Sequence, residues 1–343
     1  MRLEFRDSRG VALIMVLWVI TILTVVVLEF SFAMRTEVNV TKNFKEELQL
    51  YGIAEGGVQR AVAEMVLKQD QRLQQLRKTM KTDEIAPGKK EWVADGRPYT
   101  IPFDQGECDL RMMSEAGKIN INTVSEMTLR KIVGNLGLEE ETRDTVVDSI
   151  LDWIDSDDLR RINGAENDYY QSLKEPYNCK NGPLNSIEEL LLVRGVTPEL
   201  FYGKKGMKTG EEGAKTYDVG LKDIFSIYAL GEQIDINSAS AIVLRFALGI
   251  PDKVSRQIVK AREEKPFENI LDLRQRVPEY ASLPSVGDVE KLIVTQSMTP
   301  YYTIESRARN KGEGSVRGIK AIVKIDRMDK RGYKIIQWVD TLI

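Results

Sequence analysis

Residues Val11 to Leu28 read VALIMVLWVITILTVVVL, an apolar run with no charge in it, set between the charged opening MRLEFRDSRG and Glu29. As a helix rising 1.5 Å per residue the run is about 27 Å long, close to the thickness of a bilayer's hydrocarbon core. Its fate decides the fold. Retained, it is the first part of a long N-terminal helix; removed, the protein begins somewhere after it.

Three readings compete. A secretory signal peptide has a shorter apolar region, of about 7 to 15 residues, with a small-x-small cleavage site behind it, and Ser31-Phe32-Ala33 offers such a site. A plain single-pass anchor accounts for the run but not for a glycine closing the leader. The third reading is a type IV prepilin-like signal, cut on the cytoplasmic side after a glycine and before the apolar run. The stretch RG-VALIMVLW, Arg9 to Trp18, resembles that signal, with Gly10 and Val11 flanking the cut. The positive-inside count is a tie, because Arg2, Arg6 and Arg9 precede the run while Arg35, Lys42 and Lys45 follow it.

The chain of 343 residues, 42% hydrophobic, is long enough for two or three domains with real cores. A net charge of -3 argues against a protein held to nucleic acid by phosphate neutralisation. With no histidine, Ser-His-Asp and Cys-His catalysis and histidine metal ligation are excluded. The two cysteines, Cys108 and Cys179, cannot form a zinc site alone; in an exported protein a disulfide between them is open.

Behind the apolar run, Phe44, Leu48, Tyr51, Val58, Val62 and Met65 recur at helical spacing, so one amphipathic stem continues from the membrane, weakened locally by Gly56-Gly57. A lysine-rich linker with Pro87-Gly88 follows. Short strands are predicted around Trp92 to Val93, Tyr99 to Phe103 and Leu110 to Met113, and again at Tyr301 to Ala308, Ile319 to Ile325 and Tyr333 to Val339. Turns at Lys311-Gly312 and Lys330-Arg331-Gly332 separate the last three. The two groups of strands form one small antiparallel sheet packed on the stem, with everything between them inserted. The expected fold class is therefore α+β, a pilin-like long N-terminal helix on a sheet interrupted by a large all-α domain. The expected division is a leader at 1–10, a transmembrane segment at 11–34, stem and first strands at 35–117, an inserted helical domain at 118–297, and closing strands at 298–343.

The insertion repeats itself. KININTVSEMTLR, Lys118 to Arg130, aligns with QIDINSASAIVLR, Gln233 to Arg245, matching Ile119, Ile121, Asn122, Thr123, Ser125, Leu129 and Arg130 with Ile234, Ile236, Asn237, Ser238, Ser240, Leu244 and Arg245. Each copy runs into a glycine turn, Leu136-Gly137-Leu138 or Leu248-Gly249-Ile250, and then a second helix. The Asn-Thr and Asn-Ser pairs sit where a helix N-cap is expected. A third unit starts at Ser186, with a capping-box partner at Glu189, and passes through Gly195 to Phe201. These units resemble helix-hairpin-helix or SAM-like motifs. Phosphate recognition by such a hairpin needs a second glycine, and here Glu139, Pro251 and Thr197 stand in its place, so a protein-protein scaffold is expected rather than a DNA site.

Between the repeats, SILDWIDSDDLRRINGAENDYYQSL gathers Asp148, Asp152, Asp155, Asp157, Asp158, Glu166 and Asp168. Oxygen-rich loops of this kind suit calcium, which accepts six to eight oxygen ligands in irregular geometry, though no EF-hand spacing is present. The bland alternative is a solvated acidic helix end. A two-metal nuclease is the enzymatic reading of the same carboxylates.

The blocks DWIDSDD, GAENDYYQSL, EPY and NGPLNSIEELLLVRGVTPEL, together with the leader and the final strands, resemble the K-class minor pseudopilins of type II secretion systems, the general secretion pathway protein K family. The fifth residue after the cut, Met15, departs from the glutamate of most pilins in the way that class does. The buried glutamate of body subunits is thought to neutralise a neighbour's N-terminal amine, so a subunit lacking it suits a position with nothing above it. The resemblance implies a non-enzymatic subunit capping the tip of the pseudopilus. It implies cleavage by prepilin peptidase between Gly10 and Val11, N-methylation of Val11, and retention in the inner membrane with the bulk of the chain in the periplasm. It also implies calcium in the insertion, drawn from Asp152, Asp155, Asp157, Asp158, Glu166 and Asp168, and assembly with the I-class and J-class minor pseudopilins and the other pseudopilins. The alternative is a membrane-tethered helix-hairpin-helix receptor for DNA uptake.

Overall fold

The computed structural model of the chain describes residues 9–69, 92–203, 219–296, 299–311 and 316–342. The leader before Arg9, the Pro87-Gly88 linker and Gly312 lie outside the described residues.

Helix α1, Arg9–Gln69, is a single element of 61 residues, about 90 Å long. It contains no proline to break its ladder. In the apolar part the hydroxyls of Thr21 and Thr24 donate to the carbonyls of Leu17 and Ile20, both at 2.8 Å, so neither polar group is left unsatisfied where no water is expected. Residues 12–45 are exposed throughout, and the helix carries a window apolar enough to cross a membrane, none of it buried against the rest of the chain.

The lower part of α1 packs on a five-stranded antiparallel sheet of β1 (Asp95–Phe103), β2 (Gly106–Ser114), β7 (Tyr301–Asn310), β8 (Val316–Ile325) and β9 (Tyr333–Leu342), in the order β1-β2-β7-β8-β9. Leu50, Ile53, Ala54, Val58, Ala61, Val62 and Met65 of α1 meet Cys108, Leu110, Met112, Ile304, Ala308, Ile319, Ala321 and Val323 of the sheet. The buried stripe thus begins at Leu50. Phe44 and Leu48, expected on it, are more than half exposed. Trp92 and Val93, expected in a strand, precede β1 without joining it. The turn at Lys330-Arg331-Gly332 forms as expected, with Gly332 at φ 78°.

Gly57 is a fitted contact rather than a weakness. A Cβ there would meet the Cys108 sulfur and come within 2.5 Å of the Ser306 hydroxyl, which itself donates to the Ala54 carbonyl at 2.7 Å. The helix backbone lies directly against the sheet at this point.

Strands β2 and β7 are hydrogen-bonded neighbours, in register from Gly106↔Asn310 to Ser114↔Tyr302. The whole helical region is therefore one excursion between adjacent strands. It is built as two tandem modules with the same internal plan. In the first, β3 (Ile119–Asn120) pairs in parallel with β4 (Phe225–Ser226) at the module's far end. Between them lie α2 (Glu126–Asn135), α3 (Glu140–Ile154), α4 (Asn167–Gln171), a 3-10 helix (Ile187–Leu192), α5 (Pro198–Tyr202) and α6 (Leu221–Ile224). In the second, β5 (Ile234–Asp235) pairs in parallel with β6 (Ile293–Val294). That module contains α7 (Ala241–Phe246), α8 (Asp252–Glu264), α9 (Ile270–Arg276), α10 (Pro278–Ala281) and α11 (Val286–Leu292). The two modules share one hydrophobic core, separate from that of the stem and sheet.

The helix-hairpin glycines Gly137, Gly195 and Gly249 all adopt positive φ, at 79°, 84° and 72°. This is the left-handed turn that lets a second helix fold back on the first, and glycine takes it without strain. The N-caps do not come from the expected Asn-Thr and Asn-Ser pairs. Ser125 and Ser240, three residues later, cap α2 and α7 by accepting from Thr128 N at 3.3 Å and Val243 N at 3.2 Å. Asn122 and Asn237 do something else: each uses both ends of its amide to pair with the backbone entering the module's second half. Asn122 accepts from Leu184 N at 2.7 Å and donates to Leu184 O at 3.0 Å; Asn237 accepts from Phe267 N at 2.8 Å and donates to Phe267 O at 2.9 Å. The capping box of Ser186 with Glu189 is present, but the helix it starts is of the 3-10 type.

The disulfide considered between Cys108 and Cys179 is not formed. Both thiols are free and buried, Cys108 in the stem-sheet core and Cys179 in the helical core, so the cysteines belong to two different packing units.

Candidate functional site

Superposing the two modules' plans locates the acidic segment. From the end of α3 to the 3-10 helix the first module spends residues 155–186, whereas the second crosses from α8 to α9 in residues 265–269. The acidic segment is thus a long crossing where the second module has a short one, and it gives Ala165, Tyr170, Cys179 and Leu184 to the module's core.

Its floor is aromatic. Tyr170 is fully buried, edge-on to Trp153 with ring centroids 5.1 Å apart and 5.3 Å from the ring of Tyr177. Arg194, from the turn before Gly195, ties the loop down three times. Its guanidinium donates to the Gly164 carbonyl at 3.0 Å, its backbone N–H donates to the Tyr170 hydroxyl at 3.2 Å, and its charge lies 4.7 Å from the centroid of Tyr169. Gly164 is buried against the Asp152 carboxylate and has no room for a side chain. The GAENDYY block therefore forms a tightly packed loop, with its tyrosines beneath and its acids above.

The carboxylates fall into two groups. Asp148 is buried, bonded by Arg130 at 2.5 Å and by Asn163 N at 3.1 Å. Asp152 is completely buried and accepts from Arg161 through both backbone N–H and guanidinium; burial nonetheless holds its pKa above the usual carboxylate value. Asp157 and Asp168 are exposed and cap their own turns, accepting from Leu159 N and Tyr169 N at 2.9 and 2.8 Å. Asp168 also lies 3.6 Å from Arg160. These four are committed to holding the loop's shape.

Asp155, Asp158 and Glu166 are different. Asp158 accepts from the amides of Asn167 at 3.1 Å and Asn181 at 2.7 Å, without a cationic partner among these bonds. Asp155 gives one oxygen to Arg161 at 2.6 Å and leaves Oδ1 buried with no donor. Glu166 is 3% exposed, and both of its carboxylate oxygens lack a donor. The Cys179 thiol lies beside it, a weak donor that leaves the carboxylate oxygens unsatisfied. Burial first, then the charges of Asp152, Asp155 and Asp158, push the pKa of Glu166 up to about 7, and burial pushes the Cys179 thiol up to about 12. The side-chain oxygen of Asn181, also buried, is unpartnered too.

An orphaned buried carboxylate costs several kcal/mol as an ion, in the order-of-magnitude sense, unless a cation or proton meets it. The donors that lack partners here are all oxygens, the set a hard divalent cation prefers. Among the described residues no three carboxylates or thiols converge tightly enough to make a finished metal cage. The fit to calcium is thus one of donor chemistry and unmet demand, centred on Glu166, Asp155, Asp158 and Asn181, while Asp152, Asp157 and Asp168 are engaged elsewhere. Asn181 and the arginines were not singled out from sequence. Arg160-Arg161, two cations inside an acidic run, was the available signal.

The hairpin turns place carboxylates where phosphate would bind. Glu139 precedes α3 with Glu140 and Glu141 in its first turn, and Pro251 precedes Asp252 of α8. Negative charge at a helix N-terminus competes with an anion for the same dipole and N–H groups.

Residues 108–203 match the family model for protein K of the type II secretion system, and residues 231–278 match that for a helix-hairpin-helix motif. The type II secretion system protein K of Pseudomonas aeruginosa is 24% identical over 301 residues, 85% of this chain and 83% of that protein. Protein K of Pectobacterium carotovorum subsp. carotovorum is 31% identical over a shorter stretch, 33% of this chain and 38% of that one. Among solved structures, a chain of the GspK-GspI-GspJ complex from enterotoxigenic Escherichia coli shares the fold, with a TM-score of 0.54 and 16% identity over 88% of this chain and 99% of that one. A bare apolar helix running into a stem, a sheet opened between two neighbouring strands by a duplicated helical excursion, and the match of the first module agree: over most of its length the chain resembles the type II secretion system protein K family.

Proposed function

We propose that the protein is a non-enzymatic minor pseudopilin seated at the tip of a type II secretion pseudopilus, where it supports protein export across the outer membrane. The observation that carries this is α1 itself. Its upper part is apolar on every face and touches nothing, while its lower part is firmly packed on the sheet. A shaft of this kind is completed by a bilayer or by other apolar shafts.

Prepilin peptidase cuts between Gly10 and Val11, the new N-terminus at Val11 is methylated, and α1 anchors the protein in the inner membrane with the head in the periplasm. Met15 leaves no carboxylate to receive the amine of a subunit stacked above. The bulk of the helical excursion between β2 and β7 would clash with one. The partners are the I-class and J-class minor pseudopilins, in keeping with the company of the solved relative, and the other pseudopilins below.

Calcium binds the acidic insertion through Glu166, Asp155 and Asp158, with Asn181 as a neutral oxygen donor. When bound it supplies positive charge to buried carboxylates that otherwise repel one another. The protein's own residues do the rest: Arg194, Tyr170 and Gly164 hold the loop in place, and Arg130 neutralises Asp148.

N-terminal sequencing of protein recovered from membranes tests the reading, with a methylated Val11 expected. A start at Met34 would identify a signal peptide, and an intact Met1 a simple anchor; either result removes the pseudopilin assignment.

A further inference from the structure

The cations of the acidic insertion are not interchangeable. Arg130 serves Asp144 and Asp148 at one edge, Arg160 stands 3.6 Å from the exposed Asp168, and Arg194 bonds a backbone carbonyl. Arg161 reaches inside. Its Nη1 donates to Asp152 Oδ1 at 3.0 Å and to Asp155 Oδ2 at 2.6 Å, and its backbone N–H faces both Asp152 oxygens at 3.3 and 3.2 Å. Asp155 is thus bonded through one oxygen by a guanidinium and bare on the other, and both oxygens of the buried Glu166, which feels the Asp155 charge, are also without donors.

We infer that Arg161 is a built-in rival of the divalent cation for Asp155, an inference that rests on the cation reading given above. The guanidinium carries one positive charge and is tied to the loop, so it holds Asp155 whenever the cation is away. It bonds both Asp152 and Asp155 but leaves Glu166 unserved. A divalent ion bound to Glu166 and Asp155 brings its charge close to the guanidinium, and like charges repel. Binding therefore requires Arg161 to yield Asp155 and fall back on Asp152. Arg161 thereby lowers the affinity for the cation and keeps the empty loop from being driven apart by its own charge.

The test uses the full-length protein in detergent, stripped with chelator and titrated with calcium chloride by calorimetry, with thermal unfolding measured in chelator and in saturating calcium. For Arg161→Gln the expected result is calcium binding about tenfold tighter, a lower Tm in chelator, and a Tm in calcium close to that of the unaltered protein. Arg161→Lys, which keeps the charge, is expected to stay within about threefold of the unaltered affinity. Unchanged or weaker binding by Arg161→Gln, with Tm lowered equally in chelator and in calcium, overturns the inference and makes Arg161 a strut. If the unaltered protein takes up no calcium, the cation reading and this inference fall together, a result distinct from failure of the inference alone.

Discussion

Glu166 concentrates the chemistry of this protein in one side chain. Its folded pKa of about 7 lies above the ordinary 4.5, so between those values the unfolded chain loses its proton first and stability falls as pH rises. In chelator, Tm is expected to drop between pH 5 and pH 8 more steeply than in Glu166→Gln, and that substitution is expected to raise Tm at pH 8. A matching pH dependence in both proteins would show that the buried carboxyl is not being forced to ionise. The same substitution is expected to weaken calcium binding at least tenfold, because it removes the best-buried charge of the donor set. GAEND was readable as a loop of unusual composition. Which acids of the surrounding segment are spoken for was not, because Arg130 reaches Asp148 and Arg161 reaches Asp152 and Asp155 through folding rather than through spacing.

Elements here are joined at a few tight points. Asn122 closes its module with two side-chain to backbone bonds and Asn237 with three, the third to the Thr295 carbonyl at 2.8 Å, so Asn122→Ala and Asn237→Ala should each cost about 1–3 kcal/mol by leaving backbone groups unpaired in the interior. Urea unfolding measures this, with the larger loss expected at Asn237; no loss at either site would mean that the asparagines do not hold the modules closed. The repeat was visible in sequence as matched Ile, Asn, Ser, Leu and Arg positions. The role of the asparagines was not, because their partners, Leu184 and Phe267, are 62 and 30 residues away. Where α1 meets the sheet, Gly57→Val is expected to cost about 2 kcal/mol by overpacking against Cys108 and Ser306. A neutral result would mean that helix and sheet can separate cheaply.

At the scale of the molecule, two buried charges rivet the helical excursion to the head. Glu115, at the end of β2, accepts from Thr303 at 2.6 Å and faces Lys118 at 3.7 Å. Arg262, 2% exposed, bonds the carbonyls of Ile236 at 2.9 Å and Ala239 at 2.5 Å in the second module and of Asp95 at 3.1 Å in β1. Arg262→Met should cost roughly 3 kcal/mol, since it strips donors from several buried carbonyls at once. It should also split thermal unfolding of the detergent-solubilised protein into two transitions, one for the head and one for the excursion. A single transition at lower temperature would mean that the joint does not depend on this arginine. Met15 and the apolar run were legible without any structure, and so were the glycines of the three hairpins and the strands on either side of the excursion. These features act over one turn of helix or one step of strand, and periodicity records such distances. The placement of the core stripe at Leu50, the adjacency of β2 and β7, the separation of the two cysteines, and the division of seven carboxylates into those fully engaged and those with oxygens or charge left unmet depended on groups brought together by the fold. Only the folded structure decided them, because a contact across a hundred residues leaves no spacing in the sequence to be read.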